Sequence, residues 1–480
     1  MFATLIACHG SPPAEDTAPA PGASRPQVVT SLADAEGPTL LGNPLQFFAH
    51  GIAFAGDLTG DGRSSLAVMA DKGPLCLYGP DLGPATPADA ALACYTADSP
   101  QDLAGTALAA GGDATGDGQP DVLVGATAAS DAGPNAGAIY LLAAPFFGGA
   151  LAGGYAVFTG EAAGDQAGTA ASFAGDVDGD GFEDVLLGAW QNDAGGAGGG
   201  KAYLFRGPVE AGVQSLAAAD AAIVGSGLVS TPPPDGFDAP LHGAPPEGDG
   251  VGSVVRGVGD TNGDGLADLG LGVNGSDRAG TDAGLVSLFY GPVADGAQDL
   301  SDADREYTGG TTLEYAGDNL IGAGDLDGDG RAEVLAAGDM AANGRVWLIE
   351  GEAPSQPLAS FATTFEGQSP LDVAGSTMAP AGDLDGDGHP DLAFGAYQAD
   401  GGAPDSGIIY IVFGPVAPGT HPLGDAPLLL LGEGPNDWAG IGLAGGGDID
   451  GDGLPELLVG AQHNDEGGPY AGKAYVLMLP

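Results

Sequence analysis

The stretch Asp383-Leu-Asp-Gly-Asp-Gly-His-Pro-Asp391 places carboxylates at positions 1, 3, 5 and 9 of nine residues, with glycines at positions 4 and 6. Carboxylates that alternate along a tightly turned loop converge on one point, and glycine permits the sharp turn that this requires. Hard oxygen ligands at this spacing suit Ca²⁺ better than zinc or copper. The nonapeptide therefore predicts a calcium-binding loop.

The same nonapeptide recurs along the whole chain, and its copies begin 56 to 84 residues apart. A period near sixty residues indicates a repeat architecture, which has to be settled before any fold is assigned. An EF-hand is excluded, because that motif needs a bidentate glutamate at position 12 and a following helix. The seven loops begin at Asp57, Asp113, Asp176, Asp260, Asp325, Asp383 and Asp448.

Residue types rank the seven loops as sites for up to seven Ca²⁺ ions. Position 7 varies in type, as expected if it donates only its backbone carbonyl. Four loops carry four carboxylates each, and we expect these to bind most strongly: Asp176, Asp178, Asp180 and Asp184; Asp325, Asp327, Asp329 and Glu333; Asp383, Asp385, Asp387 and Asp391; Asp448, Asp450, Asp452 and Glu456. Two loops have a neutral oxygen ligand at position 3: Asp260, Asn262, Asp264 and Asp268; Asp113, Thr115, Asp117 and Asp121. The first loop ends in Ser65 and keeps only Asp57, Thr59 and Asp61, so we expect it to bind weakest.

Each repeat also contains four short apolar runs of four to six residues, bounded by Gly, Asp and Pro, without a helix-length amphipathic stretch. Four short antiparallel strands repeated seven times are typical of a β-propeller. We therefore predict an all-β chain with seven four-stranded blades over residues 38–480. A Pro-rich insertion at 229–250 separates blades three and four.

The two ends of the repeat region complement each other. The chain finishes on a third-type strand, so the last repeat lacks its fourth strand. Residues 39–49 align with residues 430–440, which precede the last loop. We predict that residues 38–42 supply the outer strand of blade seven and close the ring, which removes an exposed sheet edge.

With loops, flanking glycines and period in place, residues 39–480 resemble the FG-GAP repeat family, a Ca²⁺-binding β-propeller seen in integrin alpha subunits and in many bacterial surface proteins. The resemblance rests on seven copies of Asp-x-(Asp/Asn/Thr)-Gly-Asp-Gly. It implies that each loop lies between the first and second strands of a blade. The Phe of the family's Phe-Gly pair is Ala or Val here, as at Ala167-Gly168, which affects packing and leaves the loops intact.

Net charge limits the partners. Eleven Lys and Arg stand against 65 Asp and Glu, which gives a net charge of −54. Nucleic acids and anionic lipid surfaces are therefore excluded as partners, because little in the chain could neutralise phosphates. We expect a monomer that binds cations and a protein or glycan ligand.

The N-terminus and the cysteines bear on localisation. Residues 1–8 end in Leu5-Ile6-Ala7-Cys8, which resembles the lipobox of bacterial lipoproteins, in which the Cys is lipidated; the alternative is an ordinary chain terminus. Residues 9–37 are rich in Pro, Ala and acids and are predicted to form a disordered tether. Cys76 and Cys94 lie on neighbouring predicted strands, either as a disulfide or as two free thiols. These features predict an exported protein, either a bacterial outer-membrane lipoprotein or extracellular, held to a membrane only by a lipid anchor.

The face opposite the metal loops is the candidate binding surface. Its loops contain Trp190, Tyr397 and Trp438 beside amides and acids, which suits sugar or protein recognition. The alternative is that these rings pack between blades and the acids cap turns. No catalytic constellation stands out, so we expect a binding or adhesion module rather than an enzyme. A polysaccharide hydrolase or lyase and a purely structural scaffold remain the alternatives.

Overall fold

The computed structural model describes residues 27–479 except 36, 45, 72, 228–247, 339–342 and 370–371. The described chain forms seven five-stranded sheets, and every sheet has the same strand order. This confirms the predicted seven-bladed, all-β propeller. Within the described ranges the only helices are eight three-residue 3₁₀ turns. None of those helices has the length or apolarity needed to cross a membrane.

The first and second strands of each blade are antiparallel and are joined by the acidic loop. The first strands, numbered from blade one, are Gly51–Phe54, Ala104–Ala110, Ala167–Gly175, Val254–Gly259, Asn319–Gly324, Thr377–Gly382 and Ala439–Gly447. The second strands are Leu66–Met69, Val122–Ala126, Asp184–Ala189, Asp268–Val273, Glu333–Gly338, Asp391–Ala396 and Glu456–Ala461.

The third and fourth strands continue each antiparallel meander outward. The third strands are Leu75–Tyr78, Ala138–Leu142, Lys201–Phe205, Leu285–Phe289, Arg345–Ile349, Ile408–Val412 and Lys473–Leu477. The fourth strands of blades one to six are Ala93–Thr96, Ala156–Thr159, Ala221–Val224, Arg305–Thr308, Thr363–Glu366 and Leu428–Leu431. Blade seven takes its fourth strand, Thr39–Leu41, from the other end of the chain, where Leu40 pairs antiparallel with Ala474. The predicted ring closure is thereby confirmed.

A fifth strand, not predicted from the sequence, lies at the outer edge of every blade and pairs in parallel with the fourth. It comes from the neighbouring blade, from the segment just before that blade's own fourth strand. We call these segments latch strands, because each one ties two consecutive blades. From blade one to blade seven they are Gly149–Ala150, Gly212–Ser215, Gly296–Asp299, Gln356–Pro357, Gly419–Pro422, Val28–Ser31 and Thr86–Pro87.

Each latch strand runs into a 3₁₀ turn whose first residue is buried. These turns are Leu32–Asp34, Ala88–Ala90, Leu151–Gly153, Leu216–Ala218, Leu300–Asp302, Leu358–Ser360 and Leu423–Asp425. The eighth turn, Pro100–Asp102, precedes the first strand of blade two.

The predicted tether boundary at residue 37 is wrong. Val28–Ser31 pairs in register with Leu428–Leu431 of blade six, and Leu32 is 3% exposed. The apolar residues of this segment cover the outer edge of blade six, so the ordered fold begins about ten residues earlier. Residues 1–26, with Cys8 and most of the tether, lie outside the described residues, as does most of the insertion at 229–250.

The hydrophobic core is divided among the seven contacts between neighbouring blades, each of which contains one large cluster of buried side chains. The cluster between blades seven and one, which closes the ring, includes Leu40 and Leu458. Glycine is required where the blades approach most closely: a Cβ at Gly188 would lie 2.0 Å from the carbonyl oxygen of Gly252 in the next blade. Blade packing thus explains the glycine that five of the seven repeats have at this point of the second strand, namely Gly125, Gly188, Gly272, Gly395 and Gly460.

Candidate metal sites and an aromatic surface

The acidic loops lie together at one end of the ring, and their turns are built by the position-1 carboxylate. Asp325 accepts the backbone N–H groups of Gly328, Asp329 and Gly330 at 2.7, 3.0 and 2.9 Å. Gly328 and Gly330 have φ of +79° and +90°, where a side chain would be strained. The loop sequence therefore fixes its own shape, and it aims the remaining carboxylate oxygens inward.

The position-9 carboxylate anchors each strong loop to the blade. Glu333 is 3% exposed and accepts the N–H of Leu326 at 2.6 Å. Asp391 accepts from Leu384 and, beyond the third strand, from Gly414, both at 2.8 Å. Each loop is thus tied to the sheet by a buried acidic group.

Burial makes the position-9 carboxyl group of each strong loop costly to ionise. Burial raises the pKa of Glu333, the N–H of Leu326 lowers it, and the nearby charges of Asp327 and Asp325 raise it, which together bring the pKa to about 7. Burial likewise raises the pKa of Asp391 and Glu456 to about 7 and that of Asp184 to about 6. A divalent cation among these oxygens would offset both the burial and the repulsion.

Four loops gather their acidic ligands so that one oxygen from each lies within 4.8 Å of the others. These are the four loops for which the sequence predicts the strongest sites. In two of them all four predicted ligands take part: Asp325, Asp327, Asp329 and Glu333; Asp448, Asp450, Asp452 and Glu456. In the other two the position-5 residues Asp180 and Asp387 stand outside the group, which comprises Asp176, Asp178 and Asp184 in one loop and Asp383, Asp385 and Asp391 in the other.

The other three loops do not bring three acidic groups this close in the described part of the chain. In the loop at Asp260, the Asn262 side chain donates to Asp264 at 3.0 Å. In the loop at Asp113, Thr115 stands 3.5 Å from oxygens of both Asp113 and Asp121.

An arginine side chain contacts the first loop. The Arg63 guanidinium at position 7 lies 2.7 Å from Asp61 and 2.9 Å from Asp81. Its hydrogen bonds hold the pKa of Asp61 below the ordinary value. The sequence reasoning noted the missing ligands of this loop but not Arg63, whose position in the motif was the available signal.

An aromatic surface lies at the opposite end of the ring, where blades six, seven and one meet. We define it as Phe47, Tyr397, Trp438, His463 and Tyr470. The ring centroids of Tyr397 and Trp438 are 5.5 Å apart, and those of Trp438 and His463 are 4.0 Å apart. Phe47 continues the row at 5.4 Å from His463 and 5.5 Å from Tyr470. Tyr397 is buried beneath the row, whereas Tyr470 is 48% exposed.

The backbone that carries these rings belongs to the repeat. Phe47, Trp438 and Tyr470 all have left-handed φ, between 49° and 57°. The same conformation recurs at equivalent positions of other blades, where the residues are mostly not aromatic: Leu103, Gln166, Tyr315 and Val373 before the first strand, and Asn135, Asp282 and Asp405 before the third. Left-handed backbone is therefore a structural feature of every blade, while the row of rings is particular to one sector.

Of the three aromatics predicted for this face, the structure brings Tyr397 and Trp438 together, whereas Trp190 follows the equivalent strand of blade three, apart from the aromatic surface. Trp190 belongs to blade three, where its indole N–H donates to Gln166 at 3.0 Å. Sequence reasoning missed Phe47, His463 and Tyr470. The signal for Phe47 was present, since it aligns with Trp438 when the two ends of the chain are superimposed.

Cys76 and Cys94 lie directly opposite each other on the third and fourth strands of blade one, and the structure joins them by a disulfide. Of the two arrangements left open by the sequence, the structure contains the bonded one.

Comparisons with known proteins agree with this architecture. The FG-GAP-like repeat matches residues 325–394, and the FG-GAP repeat matches residues 104–142 and 439–477. Integrin alpha-V of Gallus gallus is 29% identical over 219 residues, 42% of this chain and 19% of that protein. Integrin alpha-IIb of Mus musculus is 32% identical over 150 residues, 28% of this chain and 14% of that protein. The chain thus spans less than a fifth of the length of these relatives.

A solved structure of BBS1N in complex with ARL6DN superimposes with a TM-score of 0.46 at 9% identity, over 94% of this chain and 98% of that one. The repeat matches, the integrin alpha similarity and the seven blades together support an FG-GAP β-propeller.

Proposed function

We propose that the protein is an exported, calcium-stabilised propeller that binds an extracellular ligand through the aromatic surface. The observation that carries the proposal is the row of partly exposed rings across blades six, seven and one. Trp438, His463 and Phe47 share close ring contacts, and exposed Tyr470 ends the row. A contiguous aromatic platform on a rigid scaffold is typical of a recognition site.

Calcium in the four gathered loops would act at the other end of the ring. The donor sets are carboxylates joined by backbone carbonyls, which fits Ca²⁺. Its chemistry there would be charge neutralisation: it holds the acidic groups between the first and second strands of a blade. Extracellular calcium modules commonly have Kd values of roughly 10⁻⁴ to 10⁻³ M, which presupposes a calcium-rich compartment.

A glycan is the ligand that the aromatic surface favours. Sugar rings stack on flat aromatic faces, and polar groups beside the row supply hydrogen bonds. Asp465 is exposed next to Tyr470, whose backbone N–H one of its carboxylate oxygens accepts at 2.7 Å. A protein ligand is the second candidate, favoured by the similarity to integrin alpha subunits.

Export is supported by the disulfide, since disulfides persist in oxidising compartments. We propose that Cys8 carries a lipid anchor and that residues 9–27 separate it from the propeller. A monomer is proposed because the chain closes on itself and the net charge of −54 opposes self-association.

A glycan array tests the binding proposal, with the full chain applied in millimolar calcium. We expect retention on particular glycans without new reducing ends, and loss of that retention in Tyr470→Ala. The matched control is Tyr155→Ala, an equally simple truncation of a tyrosine that is 37% exposed on blade two.

Equal retention of both variants would show that the ligand binds elsewhere. New reducing ends would instead make the protein a hydrolase or lyase. If no glycan is retained while a protein ligand binds in a manner sensitive to Tyr470→Ala, the second candidate replaces the first.

A further inference from the structure

A cavity of about 130 Å³ lies on the inner side of the ring, between the first strands of blades two to five. Its polar lining comes from Thr106, Thr169, Ser253, Asn319 and Arg256. Each first strand is the innermost strand of its sheet and pairs on one side only, so its other edge faces the cavity. The volume is enough for several water molecules or one small polyatomic ion.

Arg256 is the only charged residue on the seven first strands, whose sequences are otherwise glycine, alanine, other apolar residues, proline, serine, threonine and one asparagine. In the other blades the corresponding position, four residues before the loop, is mostly small, which leaves room for the guanidinium. Those positions are Ala53, Ala109, Ser172, Ile321, Ala379 and Ala444.

The guanidinium of Arg256 has little else to bind in the described part of the chain. Its Nη1 donates to the carbonyl of Val255 at 2.9 Å, and this is one bond for a group with five N–H donors. Burial lowers the pKa of Arg256, and no carboxylate of the described residues pairs with it. Five other arginines each have a carboxylate within 4.0 Å, namely Arg63, Arg206, Arg278, Arg331 and Arg345.

The hydroxyl hydrogens of Thr106 and Thr169 are already donated to backbone carbonyls. Thr106 donates to the carbonyl of Gly168 at 2.9 Å, and Thr169 to that of Gln166 at 2.7 Å. Arg256 therefore brings the positive charge of the cavity lining and, with one bond for five N–H donors, the largest set of unused donors on one of its side chains. A planar guanidinium presents its N–H groups as a fork that matches two oxygens of one anion.

We propose that the cavity is a binding site for a small oxyanion, held by the guanidinium of Arg256. The ligand chemistry is a compact group with two adjacent anionic oxygens, either a carboxylate or a tetrahedral oxyanion. In a chain with a net charge of −54, the cavity offers an anion a guanidinium that no carboxylate of the described residues pairs with. The site is separate from the aromatic surface and from the metal loops, and it depends on neither function.

Calorimetric titration of the calcium-loaded full chain tests the site, with sodium sulfate and sodium acetate as probes and sodium chloride at equal ionic strength as reference. We expect saturable binding of at least one oxyanion, at least tenfold weaker in Arg256→Gln. Arg256→Lys keeps the positive charge without the forked N–H groups, and its affinity for the oxyanion should be several-fold lower than that of the wild type. Arg345→Gln is the matched control, because it removes a paired guanidinium outside the cavity and should bind as the wild type does.

Unchanged binding by Arg256→Gln would overturn the proposal. The absence of saturable binding by the wild type would overturn it too, because water alone would then solvate the guanidinium. Should Arg256→Gln fail to fold, wild-type crystals soaked in selenate give the second measurement. An anomalous selenium peak about 4 Å from the Arg256 nitrogens, with selenate oxygens accepting at about 3 Å, supports the site, and its absence at saturating selenate refutes it.

Discussion

Replacing Asp327 and Asp450 by asparagine separates the two effects expected of the acidic loops, repulsion without metal and stabilisation with it. Both residues occupy position 3 of the loops in which four carboxylates gather within 4.8 Å. The chain already contains the substituted loop: Asn262 holds position 3 of the loop at Asp260 and accepts the N–H of Asp264 at 2.8 Å. Asp327 accepts the same bond from Asp329 at 3.0 Å, so the change removes charge and keeps the turn.

The magnitudes follow from the geometry. Two charges 4.8 Å apart repel by roughly 0.9 kcal/mol in a water-like medium, so each substitution relieves about 1–2 kcal/mol in chelator. A site that binds only the folded chain stabilises it by about 2.7 kcal/mol at a hundredfold excess of calcium over Kd. A tenfold weaker site loses about 1.4 kcal/mol of this, and a site that no longer binds loses all of it. For a chain of this length 1 kcal/mol corresponds to roughly 1 °C in Tm.

Scanning calorimetry in chelator and in calcium, at low ionic strength, measures both effects. In chelator the double variant should melt about 2–4 °C above the wild type. The gain in Tm on adding calcium should shrink by about 3–5 °C. The control Asp89→Asn with Asp131→Asn removes two exposed charges outside the loops and should leave that gain unchanged. A variant that melts below the wild type in chelator, or keeps the full calcium gain, would refute this account of the loops.

Three further changes test the blades and the aromatic surface. Gly188→Ala should lower the free energy of unfolding by about 1–3 kcal/mol because its Cβ overlaps the next blade, whereas Gly153→Ala, with open space around it, should be neutral in denaturant unfolding. Leu216→Ala, at a 1% exposed position in the 3₁₀ turn after a latch strand, should lower the free energy of unfolding by about 2–5 kcal/mol in the same assay; a smaller loss would show that this turn is not part of the core. Burial lowers the pKa of His463, so its stabilising contribution is present above pH 6.5 and is lost as the pH falls towards the folded-state value. Its NMR titration midpoint should lie below 6.5, with Trp438 fluorescence changing over the same range; a midpoint at or above 6.5 would contradict this.

The sequence predicts most of the ring because its information is local and periodic. The nonapeptide sets its own turn, the runs on either side of it are strands, and the count of copies gives the count of blades. Closure is also predictable, since Thr39–Leu41 aligns with the fourth strand of blade six. Each of these features repeats, so a single ambiguous segment does not decide the result.

The latch strands escape such reasoning for a physical reason. They are two to four residues long and largely exposed, and they pair with a blade to which they do not belong in sequence. Strands of this length, such as Gly149–Ala150, have no alternation of apolar and polar residues. The better signal was the buried residue that follows, as at Leu32 and Leu216, which recurs once per repeat. Overlooking it placed the start of the fold at residue 38 instead of residue 28.

The candidate sites differ in how far sequence reveals them, because they differ in how their residues are brought together. A metal loop is contained in nine residues, so its ligands are predictable one by one. The aromatic surface needs three blades, and the rings of Phe47 and His463 meet only because the chain closes on itself.

Arg256 differs again, because what marks it is its place on the cavity without a carboxylate partner in the described structure, and an absent contact leaves no trace in a sequence. The two ends of the ring therefore differ. At one end the repeated acidic loops join the strands of every blade, and at the other end the residues differ from blade to blade. Recognition is accordingly expected from positions at which one blade departs from the others, as Trp438 and Tyr470 do.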